Sequence, residues 1–413
     1  MTEKTSRVPD DATGAPVILS NEPGSFARGV LARRHPALIR QVRDAFPYGR
    51  RQHDALDALL DEITKGVIEP LAPAEHDRER WADWGQEHFG RSWYDVPFLW
   101  AESYFYRRLL GAVGYFGTGP WQGVDPFAPF KRAELRGEAV EEELRALDAL
   151  ASAAADERAA ALLHASLWGN RADLGFRVSA GESAVADAAD SAPVAHDSAP
   201  VAQDSALVAD DSAVLWQLLP AGASSIVAVV ADNAGRELVP DLILIDHLLE
   251  QRHAEKVVLH LKPYPYFVSD AMTADVVDCL RRLTETPGAA SAIGDRLWKA
   301  MAAGSLEIRT HPFFCAPLPY EKMPEDLRGE FESATLTILK GDLNYRRLVG
   351  DRLWDATAPF AELTAYFPGA VAALRTLKSD VIVGLEPRTL DALERSGVAW
   401  RTSGTHALIQ VRR

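Results

Sequence analysis

Apolar residues recur three and four positions apart through most of the first 168 residues. The stretches "GVLARRHPALIRQVRDAF", "RQHDALDALLDEIT", "FLWAESYFYRRLLGAV" and "GEAVEEELRALDALASAAADERAAALLHASLW" all show this spacing, which predicts a mainly helical part from about Gly24 to Trp168. A Gly/Pro-rich run, "GYFGTGPWQGVDPFAPF" (Gly114 to Phe130), interrupts it between helices. Beyond residue 214 the pattern changes to alternation. "SSIVAVVAD" predicts a strand, "ELVPDLILIDHLLEQ" a helix, "KVVLHLK" a strand and "ADVVDCLRRL" a helix. "SLEIRT", "ATLTILKG" and the start of "VAALRTLKSD" predict three more strands. Continuous Val/Ile/Leu runs separated by helices predict a parallel sheet buried on both faces. The expected fold is therefore α/β: a helical N-terminal part, then a mainly parallel-sheet domain. In such a sheet the ligand crevice lies beyond the carboxyl ends of the strands.

Between the two parts, "DSAPVAH", "DSAPVAQ" and "DSALVAD" follow one another from Asp190 to Asp210. Pro193 and Pro200 recur within this heptad-like repeat and its apolar residues are small, so a coiled coil is excluded. Residues 178–213 hold seven acidic residues and no Lys or Arg, a composition that cannot bury a core. The expected organisation is a flexible N-terminus (1–20), a mainly helical domain (21–177), a disordered acidic insert (178–213) and an α/β catalytic domain (214–413).

Composition narrows the function classes. The 413 residues are 47% hydrophobic and 25% charged, as in ordinary soluble globular proteins. The formal net charge of -15 argues against nucleic-acid or anionic-membrane partners, which want a basic face. Anionic small substrates stay compatible with it, since a local cationic pocket or a metal overrides the global field. Cys279 and Cys315, the two cysteines of the chain, form no CxxC pair or Cys/His cluster. The N-terminal "MTEKTSRVPDDATGAP" lacks the apolar core of a secretory signal, and "LVPDLILIDHLL" is too short to span a bilayer. A cytoplasmic location is expected.

The candidate chemistry sits where strands end. Asp232 and Asn233 follow the first strand of the α/β part, and Asp270 closes the "PYPYFVSD" segment after the second. "GDLNYR" (Gly341 to Arg346) follows "ATLTILK", and "ALRT" runs into Lys378 and Asp380. Oxygen-only ligands suit hard or borderline divalent cations. Arg346 and Lys378 suit a phosphate, one as a forked donor and the other as a point charge. Each residue also has a plain structural role: Asp232, Asp270 and Asp342 as helix caps, Arg346 and Lys378 as surface charges. No Walker-type loop, H-E-x-x-H or G-x-S-x-G sequence occurs.

These residues lie within stretches that resemble a known family. "SNEPGSFARGVLARRHP", "DVPFLWAESYFYRRLL", "LLHASLWGNRADL", "ADNAGRELVPDLILIDHLL", "LHLKPYPYFVSDAM", "LKGDLNYRRLVGD" and "LRTLKSDVIVGL" are similar to the damage-control phosphatases, in the subfamily that includes acidic-residue methyltransferase homologues. The match runs from Asn21 to Leu385 apart from the acidic insert. The resemblance implies a metal-dependent phosphatase with Asp232, Asn233 and Asp270 as metal ligands, and with these three and Lys378 as catalytic residues. It implies substrate contacts from Asp232, Asn233, Glu237, Asp342, Leu343, Asn344, Tyr345, Arg346 and Lys378, the last within the Arg-Thr-x-Lys signature Arg375–Lys378. The implied cofactor is Mn²⁺, with Ni²⁺, Co²⁺ or Mg²⁺ as alternatives. The implied partner is a small phosphorylated metabolite such as fructose 1-phosphate or fructose 6-phosphate. Attack by water is favoured, because the Asp-x-Asp-x-Thr signature of aspartyl-phosphate enzymes is missing. Two other readings are S-adenosylmethionine-dependent methylation of protein glutamate, ascribed to the same family, and a sugar-phosphate sensor without turnover.

Overall fold

The computed structural model describes residues 14–169 and 206–413. Its centre is a seven-stranded sheet: β1 (Leu207–Asp210), β2 (Ile226–Val230), β3 (Lys256–Leu261), β4 (Leu306–Thr310), β5 (Leu336–Lys340), β6 (Val371–Thr376) and β7 (Ala407–Arg412). The spatial order is β1-β7-β6-β5-β2-β3-β4. β6, β5, β2, β3 and β4 are mutually parallel, β7 is antiparallel to β6, and β1 runs parallel with β7. The five parallel strands are those that the apolar runs predict.

Alternate residues of each strand feed opposite faces. Val227, Val229, Val257, Leu259, Leu336 and Ile338 join one core, roofed by helices Glu138–Leu150, Ala155–Trp168, Leu238–Glu250, Thr273–Glu285 and Ala289–Ala303. Ala228, Val230, Leu339, Val371 and Ala373 join the other, with Phe98, Phe314 and Leu348. A third core is aromatic and belongs to the N-terminal helices. Trp81, Trp93, Trp100 and Tyr104 are buried in it, with the Trp100 and Tyr104 rings stacked at 4.8 Å.

The structure departs from the sequence expectations in three places. The long periodic stretch ending at Trp168 is two helices, Glu138–Leu150 and Ala155–Trp168, separated by a turn over 151–154. Both pack on the sheet: Val140, Leu144 and Leu163 share a core with Val227 and Leu242, so the α/β unit takes in elements from before the insert. Of the insert expected over 178–213, residues 178–205 lie outside the described residues. Its end is ordered: β1 pairs with β7, and a helix starts at Ser212. An edge strand of four residues with a half-exposed pattern offers little apolar signal in the sequence. Among the described residues, no helix is long and apolar enough to cross a membrane.

Candidate functional site

Strand register brings the candidate residues together. Val230 faces His260 of β3 and Leu339 of β5, and two residues further on Asp232 lies against Gly341, with Ala271 joining it to Lys262 on the other side. Asp232 is buried and caps no helix, since Glu237 holds the cap position of Leu238–Glu250. Instead, the chain after β2 is zipped to the loop that carries Asp270. Asn233 and Asp270 form an antiparallel bridge, the Ala271 N–H donates to the Asp232 carbonyl (2.9 Å), and the Ala234 N–H donates to the Ser269 carbonyl (2.6 Å). Gly235 turns the chain at φ +64°, a left-handed value that suits glycine. Asn233 is gripped from both ends: its Nδ2 donates to Glu237 (2.9 Å) and Asp232 (3.3 Å), and its Oδ1 accepts from the Ser269 hydroxyl (2.6 Å). The Asp270 carboxylate accepts from the Phe267 N–H at 2.9 Å.

The electrostatics of this group favour a cation. Burial pushes the Asp232 carboxyl well above the usual carboxylate range, and the neighbouring Glu237 and Asp270 charges push it further. Burial also raises Glu237, but Lys378 and a hydrogen bond from Asn233 outweigh it and hold that carboxyl low. Lys378 Nζ lies 3.3 Å from Glu237 Oε1, and this carboxylate raises its pKa. Solvent tempers the pair, because the Lys378 side chain is 42% exposed. Asp232, Asn233 and Asp270 thus offer crowded oxygen ligands whose mutual repulsion a divalent cation would relieve, and the donor set fits Mg²⁺ or Mn²⁺.

The "DLNYR" segment plays another part than the sequence reading assigns to it. It lies in the helix Gly341–Val349, whose first N–H groups have no side-chain cap. Asp342 Oδ1 accepts from Arg375 Nε (2.8 Å), the Ser379 hydroxyl (3.0 Å) and the Lys378 N–H (3.3 Å), which anchors the Arg-Thr-x-Lys loop. Leu343 packs with Leu99, Tyr266 and Cys315. Asn344 is fully buried: its Nδ2 donates to the Ala231 and Lys340 carbonyls (3.2 and 2.8 Å), and its Oδ1 accepts from Tyr320. Tyr345 donates to Gln410 at 2.9 Å. Arg346 is clamped by Asp351 (2.7 and 3.1 Å) and Glu102 (3.0 Å), with its guanidinium over the Phe98 ring. The expected forked phosphate donor is therefore engaged by carboxylates inside the protein. A sugar-hydroxyl role for the Asn344 side chain is likewise closed, and what this segment offers a ligand is the helix start.

Two neighbours of the site escaped the sequence reading. Glu134, on helix Ala128–Leu135, approaches Gly235 from the N-terminal part. Burial first, then the Glu237 charge, raises its pKa. Lys262, one residue beyond β3, is 2% exposed. The Lys in "HLKPYPY" directly follows β3, the signal that marks it in the sequence. Elsewhere, Glu75, His76 and Asp77 bring ligand atoms within 4.8 Å of one another. There Asp77 and Glu75 both bond Arg107 (2.6 Å each) and Trp81 donates to Asp77, so the cluster is engaged as an ion-pair network.

Fold and site together define a mainly parallel α/β protein with a buried cluster of oxygen donors at one strand end and a lysine beside it. The family described as "Damage-control phosphatase ARMT1-like domain" matches residues 30–393, and the chain belongs to that family. It is similar to proteins named damage-control phosphatase ARMT1 from Homo sapiens (31% identical, covering 94% of this chain and 96% of that protein) and Mus musculus (30%, covering 96% and 98%). A solved structure of a DUF89-family protein from Pyrococcus horikoshii aligns with 92% of this chain and 98% of its own, with a TM-score of 0.45 and 14% identity.

Proposed function

We propose that the chain is a metal-dependent phosphatase acting on small phosphate monoesters, sugar phosphates foremost, in metabolite damage control. The observation that carries this reading is the convergence of Asp232, Asn233 and Asp270 at one buried strand end, with Lys378 held across from them by Glu237. Asp232, Asn233 and Asp270 would hold the metal. A divalent ion there, Mn²⁺ or one of the related ions Ni²⁺, Co²⁺ and Mg²⁺, supplies Lewis-acid polarisation of a phosphoryl oxygen and a water of lowered pKa.

The chain's own residues account for the rest. Lys378 offsets charge on the transferring phosphoryl group, and the uncapped N–H groups of the Gly341–Val349 helix face the same developing charge. Asp342 holds the Arg375–Ser379 loop and so aims Lys378 rather than meeting the substrate itself. Glu237 keeps Lys378 protonated and has a carboxylate to offer a sugar hydroxyl. Asn233 is oriented by Ser269 and Glu237.

The test is turnover of p-nitrophenyl phosphate, fructose 1-phosphate and fructose 6-phosphate with Mn²⁺, before and after chelation. Activity should vanish on chelation and in Asp270→Ala. Turnover that survives both, or methyl transfer from S-adenosylmethionine without phosphate release, would overturn the proposal.

A further inference from the structure

Among the described residues, the buried lysines and arginines have partners, with one exception. Lys131 pairs with Asp125 and Asp275, each at 3.0 Å, and Lys340 with Asp241 at 2.8 Å. Arg346 pairs with Asp351 at 2.7 Å, and Arg375 with Asp342 at 2.7 Å. Arg347 donates to the carbonyls of Leu318 (2.7 Å) and Phe313 (2.8 Å). Lys262 is 2% exposed, yet its Nζ has no hydrogen-bond partner among the described residues. An ammonium held this deep without a partner costs several kcal/mol. Such a cost persists where a ligand removes it.

The position of Lys262 says what the ligand is. Val230 faces His260, and past the strand ends Ala271 stands between the two chains, its N–H donating to the Asp232 carbonyl (2.9 Å). Lys262 comes two residues after His260, whose ring meets Phe314. The Lys262 backbone is fixed by its N–H to the Ala271 carbonyl (3.1 Å), inside the loop that carries Asp270. Its charge is felt by the Asp232 carboxyl and, on the far side, by the buried Cys315 thiol. Asp232 attracts it without bonding it. A lysine beside a cation site repels the cation, so it is not there to bind metal. What it can bind is an anion that bridges it to that site.

We infer that Lys262 is a phosphate-contacting residue of the active site, donating to a non-bridging phosphoryl oxygen. This rests on the phosphatase reading and takes over the cationic role that Arg346 cannot fill. With Lys378 and Lys262 both acting on the Asp232 site, the phosphoryl group is held by two point charges. Inorganic phosphate, as product and as ligand, should therefore bind tightly and depend on both.

Phosphate binding by calorimetry with Mn²⁺ present, on the wild-type chain, Lys262→Met and Lys262→Gln, tests this. Methionine fills the buried stem and removes an unpaired charge, so the fold should be as stable as the wild type or more so in thermal unfolding. Mn²⁺ affinity should be kept or increased, while phosphate affinity falls about ten- to a hundredfold, the worth of a charged hydrogen bond. Unchanged phosphate affinity in both variants would overturn the inference while leaving the phosphatase reading intact. So would a loss of stability or of Mn²⁺ binding in both, since Lys262 would then be balancing the carboxylates. If the wild type binds phosphate through Lys262 but turns over none of the esters, the inference holds and the phosphatase reading fails. If the wild type binds no phosphate, both fail.

Discussion

Asp232 occupies the space that a side chain on Gly341 would need. A Cβ built on Gly341 would lie 1.8 Å from Asp232 Oδ2, and the glycine sits at φ +82°. Two independent constraints thus demand glycine: the left-handed backbone and the approach of the carboxylate to the helix start.

Gly341→Ala should therefore damage the site more than the fold. A non-glycine residue at positive φ costs about 1–3 kcal/mol. The carboxylate must also swing away from the helix start and from Asn233 and Asp270, so Mn²⁺ affinity should fall together with kcat. Calorimetric Mn²⁺ titration alongside thermal unfolding separates the two. Wild-type metal affinity in a folded Gly341→Ala would show that the contact does not shape the site.

Arg346 provides the opposite case. Burial opposes its charge, but Asp351 and Glu102 overcome that and raise its pKa. Arg346→Met leaves two buried carboxylates without a partner and should cost about 3–5 kcal/mol in urea unfolding. The folded fraction should keep its inhibition by inorganic phosphate. Lys378→Met should do the reverse, with stability little changed because the side chain is partly exposed, and phosphate inhibition lost. A weakened phosphate inhibition in Arg346→Met would return the arginine to the substrate.

The central sheet was legible because β2, β3, β5 and β6 are buried on both faces and so read as unbroken Val/Ile/Leu runs. β1 and β7 were not, since an edge pair joined across nearly 200 positions leaves no local period. Asp232, Asn233, Asp270 and Lys378 could be picked out because each follows a strand. The internal bonding of "DLNYR" could not. Whether Arg346 faces a ligand or Asp351 depends on side-chain partners hundreds of positions apart, such as Glu102, which periodicity does not encode. Glu134 was hidden for the same reason: its helix reaches the pocket only through tertiary packing.

The N-terminal part carries a pH liability. His35 is buried with its ring stacked on Phe105 at 3.7 Å, and neither ring nitrogen has a partner among the described residues. Burial, then the Arg34 charge, lowers its pKa to about 3. With the folded pKa below the unfolded one, the stability it contributes is complete above pH ~6.5 and is lost as pH falls toward 3, at up to about 1.4 kcal/mol per pH unit. His247 and His260, each lowered to about 4 chiefly by burial, add to the same trend. His35→Phe keeps the stacking partner and removes the proton, so the drop in unfolding free energy between pH 6.5 and 4.5 should be shallower. Parallel curves for the two proteins would mean that His35 is protonated when folded or shielded when unfolded.

Metal removal should be visible in the fold as well as in turnover. Without a cation, Asp232, Glu237 and Asp270 crowd one another in a buried setting. A bound divalent ion converts that repulsion into attraction and ties the β2 loop to the Ser269–Ala271 segment, which now meet through Asn233 and backbone hydrogen bonds. A ligand bound to the native state alone stabilises by RT ln(1 + [L]/Kd), about 2.7 kcal/mol at a hundredfold excess over Kd. Mn²⁺ should therefore raise the unfolding temperature of chelator-treated protein, and Asp270→Asn should abolish the rise while staying folded. The variant loses a charge from a site that is over-acidic when empty, so its metal-free form should melt no lower than the metal-free wild type. A metal-dependent rise that persists in Asp270→Asn but disappears when Glu75 and Asp77 are replaced would move the ion to the Arg107 cluster. The strand-end carboxylates would then bind substrate without metal.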